Sequence, residues 1–158
     1  MFLERYLQLE QLRHQNIFEF SITIAKDVDE DYETLPPMIV QPIAENAIKH
    51  GILPKNTQGR VEIHFSLETN SGKEILTCTI DDDGVGITNK VGQKDIQNAG
   101  DLVPMANSAH NSLATEITQM RLQLLSNDKE ANNKYAITYT SKKEASLGEG
   151  TRVKIIFG

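Results

Sequence analysis

Tryptophan is absent from this 158-residue chain, and cysteine occurs once, as Cys78. A lone cysteine excludes an internal disulfide and fits a reducing compartment. No apolar run approaches the ~18 residues that a membrane span needs, so no direct membrane contact is expected of this segment. The stretch Met1 to Glu10 lacks the basic start and small-residue cleavage site of a secretory leader. Basic residues are in deficit: 16 Lys and Arg against 22 Asp and Glu give a net charge of −6. Without a basic stripe, nucleic acid is not an expected partner. What is present is ordinary globular composition, 39% hydrophobic and 24% charged, which argues against wholesale disorder. Length fits one domain, or one domain with a short attachment, that buries roughly 68–70% of its extended surface.

Five segments alternate with period two: Phe18, Phe20, Ile22, Ile24; Val61, Ile63, Phe65, Leu67; Leu76, Cys78, Ile80; Tyr135, Ile137, Tyr139; and Val153, Ile155, Phe157. Such alternation predicts strands of a sheet with one buried face and favours antiparallel pairing. Helical periodicity marks residues 2–15, 37–50 and 112–126. In the second, Val40, Ile43, Ala44, Ala47 and Ile48 form one stripe. Pro36 and Pro37 are expected to open it, and Gly51 to close it as a left-handed cap. In the third, Leu113, Ile117, Met120 and Leu124 share a face. The order α-β-α-β-β-loop-α-β-β predicts an α+β two-layer sandwich, with about three helices on one face of a mixed, mostly antiparallel five-stranded sheet. Residues 88–111 lack periodicity, and a loop of that length in a compact domain is uncommon unless it is a lid or disordered.

Three short motifs bear chemistry. Asp82-Asp83-Gly84-Val85-Gly86-Ile87 follows a strand; its glycines permit close approach, and Asp82 can accept a hydrogen bond from an exocyclic amine. In isolation it reads more readily as a strand-terminating turn; calcium-loop spacing is absent. Gln41 to Gly51 places Asn46, Lys49 and His50 at i, i+3 and i+4, neighbours on a helix surface. An amide oxygen there can ligate Mg²⁺, and the two basic residues can face phosphate, although a solvated helix face gives the same pattern. Gly148-Glu149-Gly150-Thr151 precedes the last strand and can present backbone N–H groups to a ligand, or simply turn the chain.

In this order, the three motifs resemble the ATP-binding domain of the GHKL superfamily, the Bergerat fold shared by gyrase-type ATPases, heat-shock chaperones, mismatch-repair ATPases and sensor histidine kinases. The wording PPMIVQPIAENAIKHGI is similar to LytS-type bacterial sensor histidine kinases, as are YLQLEQLR and FEFSITI upstream. The resemblance implies ATP and Mg²⁺ as ligands. It implies that Asn46 holds Mg²⁺ and that Lys49 and His50 approach phosphate and ribose. Asp82 would read the adenine amino group, with Gly84, Gly86 and Ile87 beside the base. Residues 88–111 would form the ATP lid, and Gly148, Gly150 and Thr151 the last glycine motif. Glu45, next to Asn46, is a candidate to polarise an attacking histidine.

Departures from the pattern sharpen the expectation. Ser112-Leu113-Ala114 stands where the family carries a glycine pair, and Ser112 can cap the following helix and offer its hydroxyl to phosphate. His110 is a candidate lid contact. Pro42 occupies the place of the hydrolytic glutamate of gyrase-like enzymes, which argues against efficient ATP hydrolysis. None of His14, His50, His64 and His110 has the context of the family's phosphoacceptor. The chain is therefore expected to be a piece of a kinase, with 1–15 the tail of a linker helix and 16–158 the catalytic domain. It would transfer the γ-phosphoryl group of ATP to a histidine on its missing dimerisation and phosphoacceptor domain. A response regulator is the expected downstream partner, and the full-length protein is expected to be a homodimer anchored in the bacterial inner membrane with this domain cytoplasmic. The alternatives are a non-catalytic nucleotide-binding regulatory module of the same fold and a serine kinase resembling anti-sigma factors.

Overall fold

The computed structural model describes residues 2–28, 39–70, 72–86 and 135–157. Helix α1 spans Phe2–Arg13, and strand β1 Phe18–Ile24. Helix α2 runs Val40–Asn46 and continues as a π-turn, Ala47–Ile52, and a short 3₁₀ turn, Leu53–Lys55. Strands β2 (Gly59–Asn70) and β3 (Lys73–Asp82) form a long hairpin, and β4 (Tyr135–Ser141) and β5 (Thr151–Phe157) a second.

The five strands form one sheet in the order β1-β2-β3-β5-β4. β1 and β2 are parallel, with Ile22 opposite Ile63; the other three pairings are antiparallel. A parallel pair needs a crossover, and α2 with its π extension lies between these two strands in sequence. Alternation then sorts side chains by face. Phe18, Val61, Ile63, Cys78, Ile80 and Ile155 are buried in a core with Ile43, Ala44, Ile48 and Ile52, whereas Glu19, Glu62 and His64 point to solvent. Burial drives the Cys78 thiol far above its ordinary pKa, so it is a packing residue. Leu3 and Leu7 of α1 join the same core, so the N-terminal helix is packed onto the sheet.

All five alternating segments form strands, with β2 and β3 longer at both ends than their alternation marked. The helix of the Gln41–Gly51 motif differs from expectation. Its α-helical part starts at Val40, where Pro42 falls in the first turn and its missing N–H costs no intrahelical bond. Gly51 does not cap it. Gly51 sits inside the π-turn, buried against Asp82 and Gly84, where the chain has no room to reverse. The left-handed residue comes later, at Asn56 with φ +55°. The expected proline opening of this helix, residues 88–111 and the helix over 112–126 lie outside the described residues.

Candidate functional site

The end of β3 carries three consecutive aspartates with three different surroundings. Asp81 points to the outer face, where Lys142 Nζ lies 2.5 Å from Oδ1 and Arg152 Nε 2.6 Å from Oδ2. Asp83 pins the turn to β2: its Oδ1 accepts the Arg60 N–H at 2.7 Å, and Lys55 pairs with Oδ2 at 3.4 Å. Asp82 points inward and is only 3% exposed. The Gly84 N–H (2.9 Å) and the Thr151 N–H (3.3 Å) both donate to its Oδ1. Burial pushes its carboxyl up to about 6; the two amides and nearby Lys142 oppose that rise. A buried carboxylate that retains acceptor capacity at a strand end suits recognition of an amino group.

Glycine makes this seat possible. Gly150, with φ +102°, passes so close that a Cβ there would lie 2.0 Å from the Asp82 carbonyl oxygen. A Cβ on Gly84 would lie 2.3 Å from the Gly51 carbonyl carbon. These close approaches bring the β3 turn, the start of β5 and the π-turn of the helix together around Asp82. Gly86 stands beside Gly150, while Gly148 is exposed and has nothing near its Cβ direction.

The helix contributes the remaining candidates. Asn46 is half-buried at the last α-helical position, and Lys49 and His50 are exposed on the π-turn. Because a π-turn closes i→i+5 bonds, their spacing departs from the i, i+3, i+4 arrangement of a regular helix. Lys49 pairs with Glu45 on the same helix, and the Tyr6 hydroxyl of α1 donates to Glu45. Burial, reinforced by Glu45, drives the Tyr6 hydroxyl far above its ordinary pKa. Glu45 is thus engaged within the fold by two partners. Ile87, His110 and Ser112 lie outside the described residues. Sequence reasoning passed over Asp81, Lys142 and Arg152. Their link runs from β3 to residues 61 and 71 positions away, and no local pattern signals it.

A cleft of ≈ 400 Å³ at the strand ends has Asp82 in its lining together with Glu19, Arg60, Glu62, Asp81, Asp83 and Lys142 among others. It contains none of Asn46, Lys49 and His50. Among the described residues no group of three or more His, Cys, Asp and Glu converges on a metal position. No helix among them is long and apolar enough to cross a membrane.

No family model matches the sequence. Curated relatives do. The chain is 33% identical over 89 residues to the sensor histidine kinase BtsS of Escherichia coli K12, covering 52% of this chain and 16% of that protein. It is 29% identical over 82 residues to the sensor protein LytS of Staphylococcus epidermidis, covering 52% and 13%. It is 32% identical over 87 residues to the putative uncharacterized protein YwpD of Bacillus subtilis, covering 54% and 29%. The matched stretches thus take in less than a third of each of these relatives. Among solved structures, the histidine kinase domain of a blue-light activated kinase from Erythrobacter litoralis EL346 superposes with a TM-score of 0.59 at 19% identity, covering 98% of this chain and 62% of that one. The catalytic domain of histidine kinase ThkA gives 0.53 at 14% identity, covering 98% and 87%. Over about half its length the chain is similar in sequence to sensor histidine kinases, and its fold is like that of histidine kinase catalytic domains.

Proposed function

We propose that this domain binds ATP with Mg²⁺ and donates the γ-phosphoryl group to a histidine on another domain of a two-component sensor kinase. The observation that carries the reading is Asp82, a buried acceptor fixed by two backbone amides between glycines whose missing side chains let three backbone segments close around it. Adenine would donate its exocyclic amino group to this carboxylate. The phosphates would run toward Asn46, Lys49 and His50 on the helix that Gly51 ties to Asp82. Asn46 offers a neutral oxygen, a donor that suits Mg²⁺ shared with phosphate oxygens, and the ion would neutralise phosphate charge. Transfer of this kind depends on positioning and charge neutralisation. The acceptor imidazole nitrogen supplies the lone pair that forms the new P–N bond as the bond to the ADP oxygen breaks. The acceptor domain, a response regulator, homodimerisation and membrane anchoring belong to the same proposal for the whole protein. Ser112 and Ala114, in place of the family's glycines, favour as a second reading a module that binds nucleotide without transfer.

Calorimetric titration of this chain with ADP and a non-hydrolysable ATP analogue, with and without Mg²⁺, tests the nucleotide half. Saturable binding that tightens with Mg²⁺ is expected, and absence of binding at millimolar nucleotide would refute it. Joining the chain to a phosphoacceptor domain and supplying γ-labelled ATP tests the transfer half. Binding without labelled histidine would establish the second reading.

A further inference from the structure

The π-turn Ala47–Ile52 brings Gly51 against the end of β3. Gly51 is buried, and a Cβ placed on it would lie 2.9 Å from Asp82 Oδ1 and 3.3 Å from its carboxyl carbon. That carboxylate is not a free tip that can swing aside. Its Oδ1 is held by the Gly84 and Thr151 amides, and its own carbonyl faces Gly150 at a distance that admits no Cβ. Gly51 is itself fastened, since its carbonyl oxygen accepts the Val85 N–H at 3.0 Å. The chain on both sides of the contact is therefore fixed, and a methyl at position 51 has to displace the carboxylate.

We infer that Gly51 is a positioning residue: by lacking a side chain it sets where the Asp82 carboxylate stands, and with it the preference for a purine carrying an amino group over one carrying a carbonyl at the same ring position. The selectivity part rests on the nucleotide-binding reading; the placement part does not.

Both parts are tested with the 158-residue chain and its Gly51→Ala variant, titrated with ADP and with inosine diphosphate. The variant is expected to lose about tenfold or more in ADP affinity while inosine diphosphate changes by no more than about twofold. Without nucleotide, the Gly84 and Thr151 amide protons are expected to shift upfield in ¹H–¹⁵N spectra as their bonds to Oδ1 lengthen. A folded variant with an unchanged ratio of the two affinities, or with both amides unmoved, would overturn the inference. If the parent chain binds neither nucleotide, the nucleotide reading fails by itself and the amide shifts still decide the placement. If Gly51→Ala does not fold, the double variant Gly51→Ala/Asp82→Ala removes the carboxylate that the methyl meets. Recovered cooperative unfolding supports the inference; continued failure where Asp82→Ala alone folds shows that the methyl meets something other than the carboxylate and refutes it.

Discussion

Replacing Asp82 by Asn is expected to stabilise this domain at neutral and higher pH while abolishing its preference for adenine. The amide keeps the size of the side chain and an oxygen that accepts from Gly84 and Thr151. What it removes is the negative charge in a site only 3% exposed. Burial raises the carboxyl from its ordinary 3.8 to about 6. The native state therefore holds a proton that the unfolded chain has released between those two values. Unfolded chains bind fewer protons in that window, so stability falls as pH rises through it and the full penalty applies above about pH 6. The shift corresponds to roughly 3 kcal/mol of cost for the ionised form, an order-of-magnitude figure. Urea unfolding of the parent and the variant, followed from about pH 4 to pH 8.5, isolates this one group. The two curves should nearly coincide at the acid end, and the variant should lead by about 1–3 kcal/mol at the alkaline end. A variant less stable than its parent at alkaline pH, or a difference independent of pH, would refute the argument that the carboxylate is held at a cost. Such a gain in stability with a loss of binding is what a site retained for function predicts.

Other outcomes follow from single contacts. Asn46→Ala should leave ADP binding without Mg²⁺ little changed and remove the tightening that Mg²⁺ brings, as read by calorimetry in both conditions. Lys49→Ala should weaken ATP more than adenosine. Its surface pair with Glu45 is worth only about 0.3–0.5 kcal/mol, so equal weakening of both ligands would have to come from elsewhere. Ile155→Ala, at a fully buried position between β3 and β4, should cost about 2–5 kcal/mol in urea unfolding. Lys142→Met removes a cation that lowers the Asp82 pKa, so the pH-dependent loss of stability should extend to higher pH and grow larger, with its acid-side onset unchanged.

How much of this was legible beforehand differs by element. The strands were legible because alternation is a property of adjacent residues: Phe18, Phe20, Ile22 and Ile24 turn toward the core as their spacing requires. Asp82 was legible as a candidate only through the order of the three motifs, since a carboxylate before two spaced glycines by itself reads as a turn. The state of its neighbours was not. Asp81 and Asp83 differ from it only by which way successive side chains point and by what β2 and β5 present to them, which the strand order β2-β3-β5 decides.

The helix shows the same division. Its apolar stripe predicted which residues are buried, and Ile43, Ala44, Ala47 and Ile48 all are. Local sequence made Gly51 a cap, since glycine after a basic helix end commonly reverses the chain. Only the packed structure shows the opposite use, in which a missing side chain admits a strand end and its carboxylate. By itself the sequence determined periodicity, the order of motifs and therefore the fold class. Tertiary structure alone decided which glycines face Asp82 and which cations reach Asp81. Those contacts join residues tens of positions apart, and no short-range pattern encodes the register that brings them together.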